Sequence, residues 1–271
     1  TIAPVAQNVP KGLTRLRILN ACNARFLTLS MANGPLTVIA SDGGFLASSV
    51  QTDTIVMSPG ERYEVLVDMG ASSRNELMVS FDDGEVGFFG GLFGGGPTKM
   101  PVLALNLTKE DGFSGSMPNQ LANLSPPDAS QVSVTRSLTL NMEGDADLAA
   151  LAFAWGNICG DGVMGINGQP MKMDRIDQKA RRGDVELWRI NAEEDLHPFH
   201  IHGCSFRILS QQGGTPPAYA QGWKDMVHVE DGWSEVLIKF NHIAPDNAPY
   251  MYHCHILEHE DCGMMGQFIV T

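Results

Sequence analysis

Histidine is absent from the first 196 of these 271 residues, so any imidazole chemistry is confined to the C-terminal stretch. Basic residues are scarce as well: 18 Lys and Arg face 31 Asp and Glu, a net charge of −13. That balance disfavours nucleic acid and anionic membrane as partners and makes cations the natural ligands. No apolar run approaches the roughly 20 residues that span a bilayer. No leader segment is legible, so the sequence does not display its own address. The glycine-rich stretch 84–96 lacks the Gly-Lys-Ser/Thr of a phosphate-binding loop and reads as a plain loop.

Aromatic residues make up 7% and charged residues 18%, whereas Gly and Pro are plentiful at 29 and 15. Short runs rich in Val, Leu, Ile and Thr recur between these turn formers, as at Arg15–Leu19 and Tyr63–Val67. Such spacing predicts an all-β protein built of sandwiches. The length suffices for one large or two ordinary domains, each with its own core.

The chain also repeats itself. Leu16-Arg17-Ile18-Leu19-Asn20 is echoed by Leu187-Trp188-Arg189-Ile190-Asn191, and Gly43-Gly44 by Gly213-Gly214. Glu64-Val65-Leu66-Val67 is echoed by Glu235-Val236-Leu237-Ile238, again 171 residues on. A near-constant offset over three landmarks implies two copies of one plan. The expected division is a first domain over 1–110, a Gly/Ser/Pro/Asn-rich linker over 111–130 and a second copy over 131–271. Phe26, Leu27 and Leu29 lie about where the second copy is rich in histidine, so the first copy is expected to be a scaffold without metal ligands. Thr1 corresponds to a position near Lys172, whereas the second copy begins near Ser133–Leu140. The first copy is therefore expected to lack its N-terminal strands, leaving an open edge for another polypeptide or a rearranged segment to cover.

Six of the eight histidines fall in two runs, His197-Pro198-Phe199-His200-Ile201-His202 and His253-Cys254-His255-Ile256-Leu257-Glu258-His259. Thiolate, imidazole and a weak axial thioether from Met264 form a set that selects copper in a trigonal electron-transfer site. Successive side chains of a strand point to opposite faces. His253 and His255 therefore face one way and Cys254 the other. His200 and His202 share a face opposite to that of His197. One strand can thus serve a mononuclear site behind, at His197, Cys254, His259 and Met264, and a second metal centre in front, at His200, His202, His253 and His255. His228 and His242 belong to neither cluster and read as ordinary core or surface residues.

Five cysteines leave four once Cys254 is taken as a ligand. Cys22, Cys159, Cys204 and Cys262 read as buried small apolar side chains. A Cys204–Cys262 disulfide is the sharper alternative, since both sit beside segments that must converge; sequence alone does not fix connectivity.

On these two motifs the chain resembles the multicopper oxidases, most closely the bacterial periplasmic copper-efflux (cuprous) oxidases. The stretches 20–25, 39–44, 197–203, 222–225 and 253–261 carry the likeness across nearly the whole length. The resemblance implies two cupredoxin-like Greek-key β-sandwich domains, the second and third of that family. It implies type 1 copper at His197, Cys254, His259 and Met264, type 2 copper at His200, and type 3 copper at His202, His253 and His255. Glu260 resembles the acid that relays protons to the trinuclear cluster, where dioxygen is reduced to water. The electron donor would be cuprous ion or a small phenolic compound, and the compartment periplasmic.

Two departures from the pattern follow. The family's first domain supplies four further cluster histidines as two His-x-His pairs, and none exists here. The expected partner is therefore a missing N-terminal cupredoxin domain, possibly a separate chain. The methionine-rich insert of cuprous oxidases is also reduced: Asn141–Gly168 holds only Met142 and Met164. Near the type 1 site, Glu193, Glu194 and Asp195 read either as a group that attracts a cation or as a solvated acidic turn. Two other readings compete with the oxidase fragment. One is a type 1 copper or electron-transfer module without oxidase activity. The other is a metal-free structural protein of the same fold, as some cell-division relatives are; retention of every third-domain ligand argues against it.

Overall fold

The computed structural model describes residues 4–69, 72–81, 98–143, 159, 163–192, 196–230 and 232–271. They form two compact units, Thr1–Leu124 and Ser125–Thr271. In the first lie β1 (Val5–Lys11), β2 (Leu13–Leu19), β3 (Leu27–Met31), β4 (Leu36–Ser41), β5 (Gly44–Thr52), β6 (Ile55–Met57), β7 (Arg62–Asp68), β8 (Arg74–Phe81) and β9 (Thr98–Asp111). The second contains β10 (Val132–Glu143), β11 (Val163–Ile166), β12 (Gln178–Ala180), β13 (Val185–Ala192), β14 (His197–Ile201), β15 (Phe206–Ser210), β16 (Met226–Val229), β17 (Ser234–Lys239), β18 (Tyr250–Cys254) and β19 (Met265–Val270). One short helix, α1 (Leu257–Asp261), separates β18 from β19.

Each unit is a pair of sheets. The first stacks β1-β9-β8-β3-β6 on β2-β7-β4-β5; the second stacks β12-β19-β18-β14-β16 on β11-β10-β13-β17-β15. These are cupredoxin-like β-sandwiches. Alternation drives the layering: in β7, Tyr63, Val65 and Val67 are buried while Arg62, Glu64 and Leu66 are less so.

Strand pairing makes the internal repeat concrete. Arg17 faces Glu64 across β2 and β7, and Arg189 faces Glu235 across β13 and β17. Each pair is a cross-strand ion pair, at 3.3 and 3.0 Å. The pairing equates Arg17 with Arg189, a shift of 172, one residue more than the sequence echo at Leu16 and Leu187 suggested.

One difference between the copies concerns an edge. In the second unit β10 lies parallel on β13 from Val132–Val185 to Leu140–Ala192. Among the described residues nothing occupies the matching flank of β2, which ends its sheet. In this respect β2 has no described neighbour of the kind that β13 has in β10. The other front edge is filled from within the chain, because β1 runs parallel to β9.

The second unit's core places the histidine strands. Trp188 is fully buried and meets Tyr252 edge-on at 5.5 Å and Phe268 at 5.7 Å. Tyr252 lies on β18 and packs on Phe199 of β14 at 6.0 Å. Both strands are thereby clamped with their odd and even residues committed to opposite faces. Gly203, with φ +70, follows His202 where any side chain would overlap the Tyr250 ring.

Candidate metal centre

Strands β14 and β18 are antiparallel neighbours, with Phe199 opposite Cys254 and His200 opposite His253. Register and pleat then sort the side chains. Phe199, Ile201, Tyr252 and Cys254 belong to the buried core cluster. His200, His202, His253 and His255 gather on the other face.

Behind the strand, Cys254 Sγ lies 3.5 Å from His197 Nδ1 and 3.6 Å from His259 Nδ1. The two imidazole nitrogens are 3.2 Å apart. Ligands held at about 2.0–2.3 Å around one ion lie about 3.2–3.9 Å from one another at angles of about 105–120°. All three separations fall in that window, so the residues fit a metal. Cys254 is completely buried and His197 is 1% exposed, while His259 is half-buried and reaches toward solvent. Burial pushes the Cys254 thiol up and lowers the His259 imidazole to about 3, with the nearby His197 adding to the latter. A cation is what this pocket needs to hold a thiolate.

Met264 is fully buried in the same core cluster. Its amide donates to the His259 carbonyl at 3.0 Å and its carbonyl accepts from the Cys254 amide at 3.1 Å. The backbone of one proposed ligand is thus bonded to two others.

In front of the strand, ligand atoms of His200, His202 and His253 lie within 4.8 Å of one another. His202 Nε2 and His253 Nε2 are 3.1 Å apart. Carbonyl oxygens fix the tautomers: His200 Nδ1–H donates to Asp225 O, and His253 Nδ1–H to Cys254 O, both at 2.8 Å. Each Nε2 is left with its lone pair facing the cluster, the arrangement that orients metal-binding histidines. Burial lowers the pKa of His200, of His202 and of His253, the last to about 3, so the imidazoles are neutral and able to ligate. His255 stands beside this trio without joining its tight group, its ring 5.7 Å from that of His253 and 6.0 Å from that of His200. Its Nδ1 is buried without a hydrogen-bond partner.

Glu260, on α1, brings a carboxylate oxygen to 3.2 Å from His253 Nδ1. Burial raises its pKa, and Asp261 adds to the effect against the pull of His255. A carboxyl placed there can hold a proton at the rim of the histidine cluster.

Some expectations need correction or fall elsewhere. Cys262 is bonded to Cys159, not to Cys204. Cys204 is a free thiol packed against the core, pushed up to about 12 by burial. His228 is buried outside both clusters. Glu193, Glu194, Asp195 and the stretch 84–96 lie outside the described residues. Asp225 escaped notice as a support for His200 because its hydrogen bond is made by its carbonyl, which every residue has; its carboxylate lies farther off, at 3.9 Å from the same Nδ1.

In the first unit Leu29 faces Val79 and Ser30 faces Met78, as Phe199 faces Cys254 and His200 faces His253 in the second. Val79 therefore stands where Cys254 does, and Leu27 where His197 does. Neither Leu27 nor Val79 carries an atom that ligates copper.

A thiolate and two imidazoles converging behind one strand, with a histidine cluster in front of it, define a copper protein of the cupredoxin type. The multicopper oxidase family models match residues 132–271 and 4–87, and the chain belongs to the multicopper oxidase family, whose metal is copper. Among relatives it is similar to the cell division protein FtsP of Yersinia pestis, 34% identical over 97% of this chain and 52% of that protein. It is also similar to the multicopper oxidase mco of Staphylococcus epidermidis, 30% identical over 95% and 48%. Among solved structures, the laccase-like multicopper oxidase CueO from Ochrobactrum sp. superposes with a TM-score of 0.85 at 38% identity, covering 99% of this chain and 58% of that one. A multicopper oxidase from Campylobacter jejuni gives 0.78 at 26%, covering 94% and 53%. The chain spans about half the length of the curated relatives it matches.

Proposed function

We propose that this chain carries the substrate-side copper site and half of the dioxygen-reducing cluster of a multicopper oxidase. The observation that supports it most is the division of β14 and β18 into two opposed ligand groups sharing the Cys254–His253 peptide. His197, Cys254, His259 and Met264 would hold the mononuclear copper. His200 serves type 2 copper, and His202, His253 and His255 serve the type 3 pair. Copper bound at these residues supplies one-electron redox chemistry, with cuprous ion or a small phenol as donor and dioxygen as acceptor.

The chain's own groups have separable tasks. His259 is the half-buried edge of the mononuclear site, where a donor can approach without contacting the metal. Cys254 links that site to His253 through covalent bonds, which couple electrons more strongly than a gap through space. The Asp225 and Cys254 carbonyls hold the Nδ1 protons of His200 and His253, keeping Nε2 turned to the cluster. Glu260 would hold a proton beside His253, at the rim of the histidine cluster. The remaining cluster ligands come from another cupredoxin domain, in a longer polypeptide or on a separate chain. The Cys159–Cys262 disulfide favours an oxidising compartment such as the periplasm.

A second reading is an electron-transfer module without oxidase activity, favoured by the presence of only four histidines in the front cluster. Metal analysis after reconstitution separates the two. About one copper per chain fits the module, and about four in complex with a domain bearing two His-x-His pairs fits the oxidase. On its own the chain is expected to bind mononuclear copper and to reduce little or no dioxygen. Robust dioxygen uptake by a sample containing this chain alone would sink the proposal.

A further inference from the structure

Three of the four proposed mononuclear ligands come from one loop, residues 254–264. Its scaffold is slight. Helix α1 has five residues, too few to be stable alone, and its N-cap Ile256 offers no side-chain hydrogen bond. The turn that follows is made by Cys262 and by Gly263 at φ +103. The Cys262 amide donates to the Glu258 carbonyl at 3.2 Å and the Gly263 amide to the Glu260 carbonyl at 3.0 Å. From outside, the Met171 amide donates to the Gly263 carbonyl at 3.0 Å, and Met164 and Pro170 lie against the same glycine. The covalent tie is the bond from Cys262 to Cys159, 103 residues earlier, with Cα atoms 5.2 Å apart. Cys262 sits between His259 and Met264 in sequence and caps the helix that presents His259.

We infer that Cys262, through its disulfide to Cys159, is a positioning residue that sets the spacing of His259 and Met264 about Cys254 in the mononuclear copper site. The inference rests on the reading of those residues as copper ligands. The bridge fastens the one point of the loop from which both a helix bearing an imidazole and a strand bearing a thioether depart. Opening it is a two-electron step: a dithiol reductant gives two electrons and two protons to the S–S bond and becomes a disulfide, leaving thiols at 159 and 262. The loop then keeps its hydrogen bonds and loses its anchor.

The test compares the parent chain with the Cys159→Ser/Cys262→Ser double variant, each loaded with copper(II). The readouts are the thiolate-to-copper absorption band, the copper hyperfine splitting in electron paramagnetic resonance, the midpoint potential, and copper affinity by chelator competition. The variant is expected to keep its far-ultraviolet circular dichroism. Its band and splitting shift, and its affinity falls about 10-fold or more. Leu29→Ala, in the first unit, serves as a control that lowers thermal stability without moving the spectra. Should the variant only melt earlier, with band, splitting, potential and affinity those of the parent, the bridge is a staple and the inference is overturned. A parent chain that develops no thiolate band at all defeats the copper-site reading instead, and the inference with it. If the double variant does not fold, the metal-free parent is reduced with a dithiol and reloaded with copper. Mass spectrometry confirms the gain of two hydrogens, and the same spectral outcomes decide.

Discussion

Met264 is fully buried, and its backbone bonds to Cys254 and His259 bring it to the site whatever its side chain. Replacing its thioether with an aliphatic group of similar volume therefore tests the axial ligand alone. Met264→Leu should cost less than about 1.5 kcal/mol in stability. The thiolate-to-copper band should persist, because Cys254, His197 and His259 are untouched. The midpoint potential should rise, since losing a donor disfavours the more highly charged copper state. A potential equal to the parent's would remove Met264 from the ligand set. At this scale the sequence was largely readable: cysteine, histidine and methionine carry recognisable ligand chemistry, and parity on a strand assigns them to faces. What escaped were supports that any residue can give, the Asp225 and Cys254 carbonyls among them. The partner of Cys262 escaped for another reason. Cys159 lies in a stretch without periodicity, and nothing in spacing favours it over Cys204.

Strands β10 and β13 are joined by more than their ladder. Glu186 is 1% exposed and accepts from Arg136 Nε at 2.6 Å, from the Arg136 terminal nitrogen at 2.7 Å and from Trp188 Nε1 at 2.8 Å. Arg136 also donates to Gln178 Oε1 at 2.7 Å and the Lys179 carbonyl at 2.6 Å, so it ties β10 to β12 in the facing sheet. Glu186→Ala strips the partner from a mostly buried guanidinium and from the indole that packs under Tyr252. The expected loss is about 3–5 kcal/mol, read from the urea midpoint. A change below about 1 kcal/mol would mean the arginine reaches water and the network adds little. Most strands were visible as alternating runs with turn residues between them, and the ion pairs Arg17–Glu64 and Arg189–Glu235 show why the echo exists. The one-residue slip in the offset was not visible, because hydrophobic echoes tolerate a shift that only the pairing register exposes.

For the whole molecule the buried imidazoles make stability depend on pH. His253 is 4% exposed and neutral in the folded, metal-free chain, its pKa lowered to about 3 by burial. An unfolded imidazole titrates near 6.5. Above about pH 6.5 neither state takes the proton and the full stability is present. As pH falls from there toward 3, only the unfolded chain is protonated, and stability drops by about 1.4 kcal/mol per unit for His253. His259 has the same sign but is half-buried, so its share is smaller. Urea midpoints of the metal-free chain should decline steadily between pH 6.5 and 4. A flat profile would mean these imidazoles are accessible to protons in the fold. Copper should hold stability to lower pH, because metal and proton compete for the same nitrogens.

The matched registers of the two units mean that Leu27 and Val79 occupy the addresses of His197 and Cys254 on a sandwich of the same build. The first unit is in effect a blank cast from the same mould. Installing an imidazole at 27 and a sulfhydryl at 79 would begin a second blue centre where the present chain keeps hydrocarbon, with the neighbouring unit as its pattern.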